Sequence, residues 1–407
     1  MNKKQLETYA KLVLKFGVNL QKGQGLELAC PVEKRETAEV FAEVAFGMGA
    51  STVRIRWEDE IIDRLNLLYA DENELKTVPK WFTESKLDLV KRNFCYVAIA
   101  AEDPSAFSSV PEKRIFTYSS ARRKALKRFS EKVMANGIRW CVVSVPTEKW
   151  AEKVFPNQEN PIKELENAIL KTMRLDKAEP EKEWEKHIEK LSERAKFLNS
   201  QNFSCLHFEN SAGTDLKVGL IDNHVWLSAK ETAMDGVEFM ANMPTEEVFT
   251  APHRLKVNGR VYSALPLSFN GQIIENFYID FKNGKVVGFA AEKGYETLKG
   301  LIETDKGSRR LGEVALIGKN SPIAKSGILF YNTLFDENAS CHVALGKGYP
   351  TTVKGGEKLS AKELKKSGLN DSVEHVDLMI GTPDINITGY KKDGSFVALF
   401  KNGEWCV

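Results

Sequence analysis

Leu26-Glu27-Leu28-Ala29-Cys30, followed by Glu33 to Met48 and then Thr52 to Trp57, decides how the first half of the chain folds. The opening segment is a short apolar strand. Its successor carries Ala38, Phe41, Ala42 and Ala45 at helical spacing and predicts an amphipathic helix, while the third alternates like another strand. Strand, helix and strand in this order predict parallel pairing through right-handed crossovers. Working outward, Phe94 to Ala101 and Ile138 to Val145 predict two further strands, with a basic helix around Ala121 to Ala135 between them.

A long charged helical region from Pro161 to Asn199, interrupted near Pro180, separates this half from one of different texture. Short strands are expected at Ser204 to Glu209, Leu216 to Leu220, Val225 to Ser228, Gln272 to Phe281, Val286 to Ala290 and Gly394 to Lys401. Asn283-Gly284 and Asp393-Gly394 are hairpin signals, because glycine tolerates the positive φ such turns require. The fold class that follows is an α/β N-terminal domain with a mainly parallel sheet, plus an α+β C-terminal domain of mostly antiparallel strands. The boundary falls around Glu185 to Leu191, giving domains of 1–187 and 188–407.

Composition bounds the function without naming it. The 407 residues are 42% hydrophobic and 28% charged, an ordinary globular balance that excludes disordered and collagen-like readings. A net charge of +2 against 58 basic and 56 acidic residues implies no global attraction to nucleic acid or anionic membrane. Arg122-Arg123-Lys124, followed by Lys127 and Arg128, lacks an interleaved aromatic platform and reads as a solvated helix face. The six cysteines are scattered without a Cys-x-x-Cys pair, which fits reduced thiols. No uninterrupted apolar stretch follows Met1-Asn2-Lys3-Lys4, so neither a signal peptide nor an anchor is expected, and the location expected is cytoplasmic.

Chemistry concentrates in the second half. His342 ends Leu-Phe-Asp-Glu-Asn-Ala-Ser-Cys-His (334 to 342), and His375 opens His-Val-Asp-Leu. Glu247 and Glu313 stand in apolar surroundings, where an ionised carboxylate needs a cation or dense hydrogen bonding. On a strand, residues two apart share a face, so His375 and Asp377 point one way while Val376 and Leu378 point the other. Two imidazoles with several carboxylates suit zinc, cobalt or manganese, and more carboxylates than one ion requires point to two ions sharing a bridge. His187, His207, His224 and His253 lack such carboxylate company and are expected to be surface or structurally hydrogen-bonded groups.

With these residues in view, the chain resembles the M29 family of metallo-aminopeptidases, the aminopeptidase T and aminopeptidase S type. The motifs are Asn242-Met243-Pro244-Thr245-Glu246-Glu247-Val248-Phe249-Thr250, Leu311-Gly312-Glu313-Val314-Ala315, Asp336-Glu337-Asn338-Ala339 leading to His342, Gly348-Tyr349, and His375-Val376-Asp377. The likeness runs from the Leu6 to Leu12 helix to Gly381, and five separated segments agree in order and spacing. It implies an exopeptidase that releases amino-terminal residues from peptides with two divalent ions (Zn, Co or Mn), assembled as a homodimer, with the C-terminal domain catalytic. Carried over position by position, Glu247, Glu313, Glu337, His342, His375 and Asp377 are implied metal ligands. Glu313 is the implied bridging or base carboxylate, and Tyr349 the active-site tyrosine.

Rival chemistries lack their signatures: no His-Glu-x-x-His helix, Gly-x-Ser-x-Gly elbow, Walker loop or complete Gly-x-Gly-x-x-Gly occurs. Two alternatives use the same residues. One is a dinuclear metallohydrolase acting on a non-peptide amide or ester, the other a non-catalytic peptide-binding protein.

Overall fold

A computed structural model describes all 407 residues. The chain divides into two compact units, one of Met1–Ile188 with Ala229–Thr245, the other of Glu189–Ser228 with Glu246–Val407. The sequence-based division at 187/188 did not include the return of residues 229–245 to the first unit.

The first unit contains a four-stranded sheet in the order Thr52–Glu58, Gly25–Pro31, Cys95–Ile99, Trp140–Val143, and every pairing is parallel. Gly25–Pro31 is buried along all but its last residue, as a central strand covered on both faces must be. The helix Arg35–Gly47 follows and buries Ala38, Phe41, Val44 and Ala45, close to the expected stripe. Three helices not foreseen in the sequence, Glu60–Tyr69, Glu72–Lys76 and Lys80–Lys91, fill the connection to Cys95–Ile99. Asp59 starts the first of them by accepting hydrogen bonds from the Ile61 and Ile62 amides. The basic helix runs Glu112–Met134, beginning well before the expected residue 121 because Pro111 sits at its N-cap. Within it Arg122 donates to Tyr118 and lies over the Phe82 ring, and Arg123 donates to Ser119, so two of the run's cations are engaged locally.

The return has a physical reason. Trp140–Val143 ends the parallel sheet and leaves its backbone groups open. Residues 241–243 close that edge: the Val142 amide donates to Ala241 O (2.8 Å) and the Met243 amide to Val142 O (3.0 Å). Buried Arg139 pairs with Asp235 at 3.1 Å, and Asn136 donates to Glu231, fixing the segment further.

The second unit holds a nine-stranded sheet and a four-stranded one, antiparallel in every pairing. In the large sheet, Gln272–Lys282 and Lys285–Lys293 form the hairpin signalled by Asn283-Gly284, whose φ values of 50° and 72° are both left-handed. The small sheet has the order His375–Met379, His342–Gly346, Leu311–Leu316, Val248–Thr250. One expected strand is absent. Residues 225–228 form only one isolated bridge, in which Leu227 exchanges two backbone hydrogen bonds with Phe249 and seals the outer edge of Val248–Thr250 without extending into a ladder. No helix is long and apolar enough to cross a membrane.

Polar groups also occupy the first unit's core. Lys86 Nζ donates to Glu27 Oε1 at 2.7 Å and lies 4.6 Å from the Tyr96 ring centroid. Burial, aided by the charge of Arg56, lowers the Lys86 pKa. Removing one partner of such a pair leaves a buried charge uncompensated, whereas removing both does not. Glu27→Ala should therefore lose about 3–5 kcal/mol in urea unfolding followed by circular dichroism. The double variant Glu27→Leu/Lys86→Met should recover most of that loss. Unchanged stability in Glu27→Ala would contradict the pairing.

Candidate metal centre

The small antiparallel sheet assembles its polar groups by register. Across three strands Glu313 stands opposite Ala344, and Ala344 opposite Asp377. In the next row Phe249, Ala315, His342 and Met379 are successive partners, and His375 faces Gly346. Directly opposed residues share a face, so Glu313, His342, His375 and Asp377 project to one side, and Glu247 joins them two residues before Phe249. The row between Glu313 and Asp377 is floored by a methyl group. A longer side chain at Ala344 would stand where the carboxylates converge.

The distances are short. His342 Nε2 lies 3.2 Å from Glu247 Oε2, 3.5 Å from Glu313 Oε1 and 3.7 Å from Asp377 Oδ1. His375 Nε2 is 3.6 Å from Glu313 Oε2 and 3.6 Å from Asp377 Oδ1. Two sets of three result, Glu247/Glu313/His342 and Glu313/His375/Asp377, with the candidate ligand atoms of each set within 4.8 Å of one another. Glu313 belongs to both and turns one oxygen to each imidazole.

Both rings are oriented from behind. His342 Nδ1 meets Glu337 O at 3.0 Å and Ser340 O at 3.3 Å, and His375 Nδ1 meets Lys347 O at 2.7 Å. A carbonyl only accepts, so each Nδ1 carries a hydrogen and each Nε2 faces the carboxylates. Tyr349 packs its ring edge-on against His375 (centroids 5.1 Å apart) and against Phe249 (6.0 Å).

Electrostatics describe a cluster short of positive charge. Burial pushes the Glu313 carboxyl up to about 7, with Glu247 and Asp377 adding to the rise and His342 and His375 opposing it. Burial works against a charged His342, yet hydrogen bonds to Glu247 and Glu313 outweigh it and hold that imidazole well above its ordinary pKa. His375 is raised for the same reason, against burial, by Asp377 and Glu313. Asp377 Oδ1 is buried with no hydrogen-bond donor.

These residues fit divalent cations. Ligands about 2.0–2.2 Å from a tetrahedral ion lie about 3.3–3.6 Å apart. The four nitrogen–oxygen separations within the two sets, 3.2–3.6 Å, lie close to that spacing. Two tautomer-fixed imidazoles and shared carboxylates complete a borderline N/O donor set.

Glu337 stands apart from both sets of three. It lies on the 3-10 turn Glu337–Ala339, and its carboxyl is raised well above the ordinary range, first by burial and then by the charges of Asp377 and Glu247. The remaining histidines are elsewhere, with His187 on Thr245 O, His207 on Asp215, His224 on Ile221 O and His253 on the Leu255 amide. All six cysteines are free, and the Cys341 thiol bonds to Ile317 O, away from the ligand face. Sequence reasoning missed the carbonyls that orient the imidazoles and the methyl floor. Only the second left a trace: in His342-Val-Ala-Leu-Gly346 alternation puts Ala344 and Gly346 on the ligand face.

The sequence pattern of the family described as "Thermophilic metalloprotease (M29)" matches residues 2–405. Aminopeptidase 2 of Geobacillus stearothermophilus is 42% identical over 404 residues, covering 99% of this chain and 98% of its own. Aminopeptidase AmpS of Bacillus subtilis is 40% identical over 403 residues, with 98% of each chain covered. The solved structure of wild-type AmpT from Thermus thermophilus superposes with a TM-score of 0.91 at 36% identity, covering 100% of both chains. A likeness that spans every strand carrying a candidate ligand, at this identity and coverage, leaves one assignment: the chain belongs to the thermophilic metalloprotease (M29) family.

Proposed function

We propose that this protein is a metallo-aminopeptidase that uses two divalent cations, held by Glu247, Glu313, Glu337, His342, His375 and Asp377, to release amino-terminal residues from peptides. The observation that carries it is Glu313, one carboxylate shared by two sets of three ligands. Relatives that match along nearly the whole chain are named aminopeptidases, which supports this reading. Zn²⁺, Co²⁺ or Mn²⁺ bound here would acidify a water and polarise the scissile carbonyl.

The chain's own groups do the rest. Glu313 has an oxygen toward each imidazole and would serve either as the shared ligand or as the base; whichever of Glu313 and Glu247 is not committed to both cations accepts the proton of the attacking water and passes it to the leaving amine. The Tyr349 hydroxyl, on a ring seated against His375, stabilises the negative charge that develops on the carbonyl oxygen. Lys347 O and the carbonyls of Glu337 and Ser340 hold the imidazoles in the tautomer that presents Nε2. The active protein would act in the cytoplasm as a homodimer, so light scattering at micromolar concentration should give twice the 45.7 kDa chain mass.

Chelator-stripped protein should release no amino acid from unblocked peptides, and added Zn²⁺ or Co²⁺ should restore release from free but not acetylated amino termini. Restored cleavage of phosphoesters but not of aminoacyl anilides would move the assignment to another hydrolase class. Glu313→Gln should abolish turnover, and a near-normal kcat would remove Glu313 from the mechanism. Tyr349→Phe should lower kcat more than it raises KM, whereas the reverse would make it a substrate-binding residue. Ala344→Val should weaken metal binding while leaving the circular dichroism unchanged, since it fills the floor between Glu313 and Asp377. Because His342 holds its proton well above the ordinary range when no cation is present, metal uptake must expel protons. Apparent metal affinity should then rise with pH through the neutral range, and calorimetry in buffers of different ionisation enthalpy should show net proton release.

A further inference from the structure

Glu247 precedes its strand and has no ladder partner of its own, yet its carboxylate must meet an imidazole on a distant segment. The connection runs through Asn338, which is fully buried in the turn before His342. Its Oδ1 accepts from the Glu246 amide at 2.7 Å, across 92 residues of chain. Its Nδ2 donates to Leu334 O at 2.8 Å and to Glu337 Oε1 at 3.4 Å, and its carbonyl accepts from Ser321 Oγ at 3.2 Å. The same turn supplies Glu337 O and Ser340 O, the carbonyls that orient His342.

We propose that Asn338 is a positioning residue for the metal centre, tying the backbone ahead of Glu247 to the turn that orients His342 so that both reach one cation. This rests on the metal-centre reading given above. An asparagine amide is the smallest side chain that offers an acceptor and two donors from one planar group. Aspartate keeps the acceptor for the Glu246 amide but turns a second oxygen toward Leu334 O and Glu337. Alanine removes both halves of the tie.

Metal-stripped wild type, Asn338→Ala and Asn338→Asp should be titrated with Co²⁺, reading affinity and the visible absorption bands, which respond to coordination geometry. Asn136→Ala serves as a control for general destabilisation, because Asn136 is a buried amide of the other unit bonded to Glu231. Both Asn338 variants should bind Co²⁺ about 10- to 100-fold more weakly, the size of effect expected when a group behind the ligands is lost. Their bands should be altered, while Asn136→Ala keeps wild-type affinity and spectrum. Activity lost at low Co²⁺ should return in part at saturating Co²⁺. If Asn338→Ala does not fold, Asn338→Asp decides alone. Wild-type affinity and bands in the folded Asn338 variants would overturn the positioning role. Wild type that binds no Co²⁺ would instead overturn the metal centre itself.

Discussion

Mutual repulsion among buried carboxylates is the constraint on which the second unit turns. Glu247, Glu313 and Asp377 are each under a tenth exposed, and they converge with His342 and His375 on one side of a four-stranded sheet. Burying several anions together costs far more than a sheet of this size can offset unless positive charge is supplied. The same need raises the pKa of both imidazoles, and divalent cations would meet it more fully because each could bind several of the oxygens. The apolar residues on the strands' other face, Val314, Leu316, Val343, Leu345, Val376 and Leu378, are all buried and provide the packing that holds this face together.

Register explains how so dense a polar group survives in a packed sheet. Opposed small residues, Ala344 between Glu313 and Asp377 and Gly346 beside His375, leave room for side chains that would otherwise collide. Orientation comes from outside the ligand set: three backbone carbonyls hold the two Nδ1–H groups, and Asn338 ties the Glu247 segment to the turn before His342. The site is therefore a property of the strand ends and their turns more than of any single strand.

Much of this was legible in the sequence for physical reasons. Parallel strands of the first unit read as apolar runs because both faces are covered, and the 3.6-residue stripe of Arg35–Gly47 follows from packing on such a sheet. His375-Val376-Asp377 exposed its geometry through the two-residue period of a strand. The meeting of Glu247, Glu313 and His342 was not legible from spacing, because antiparallel register depends on turns and bulges such as the shift between Leu311 and Glu313. Resemblance to a family bridged that gap. The return of 229–245 escaped because it answers a tertiary need, an open sheet edge, that leaves no local pattern, whereas the helices between residues 60 and 91 carried local signals such as the Asp59 cap that were passed over.

On the function proposed here, one face of this sheet would hold two cations with Glu313 shared between them. Crystals grown with Zn²⁺ or Co²⁺ and measured at the metal's absorption edge test it directly. Two anomalous peaks about 3.5–4 Å apart are expected, one among Glu247, Glu313 and His342 and the other among Glu313, His375 and Asp377. No peak at this face, or a single peak out of reach of Glu313, would contradict it.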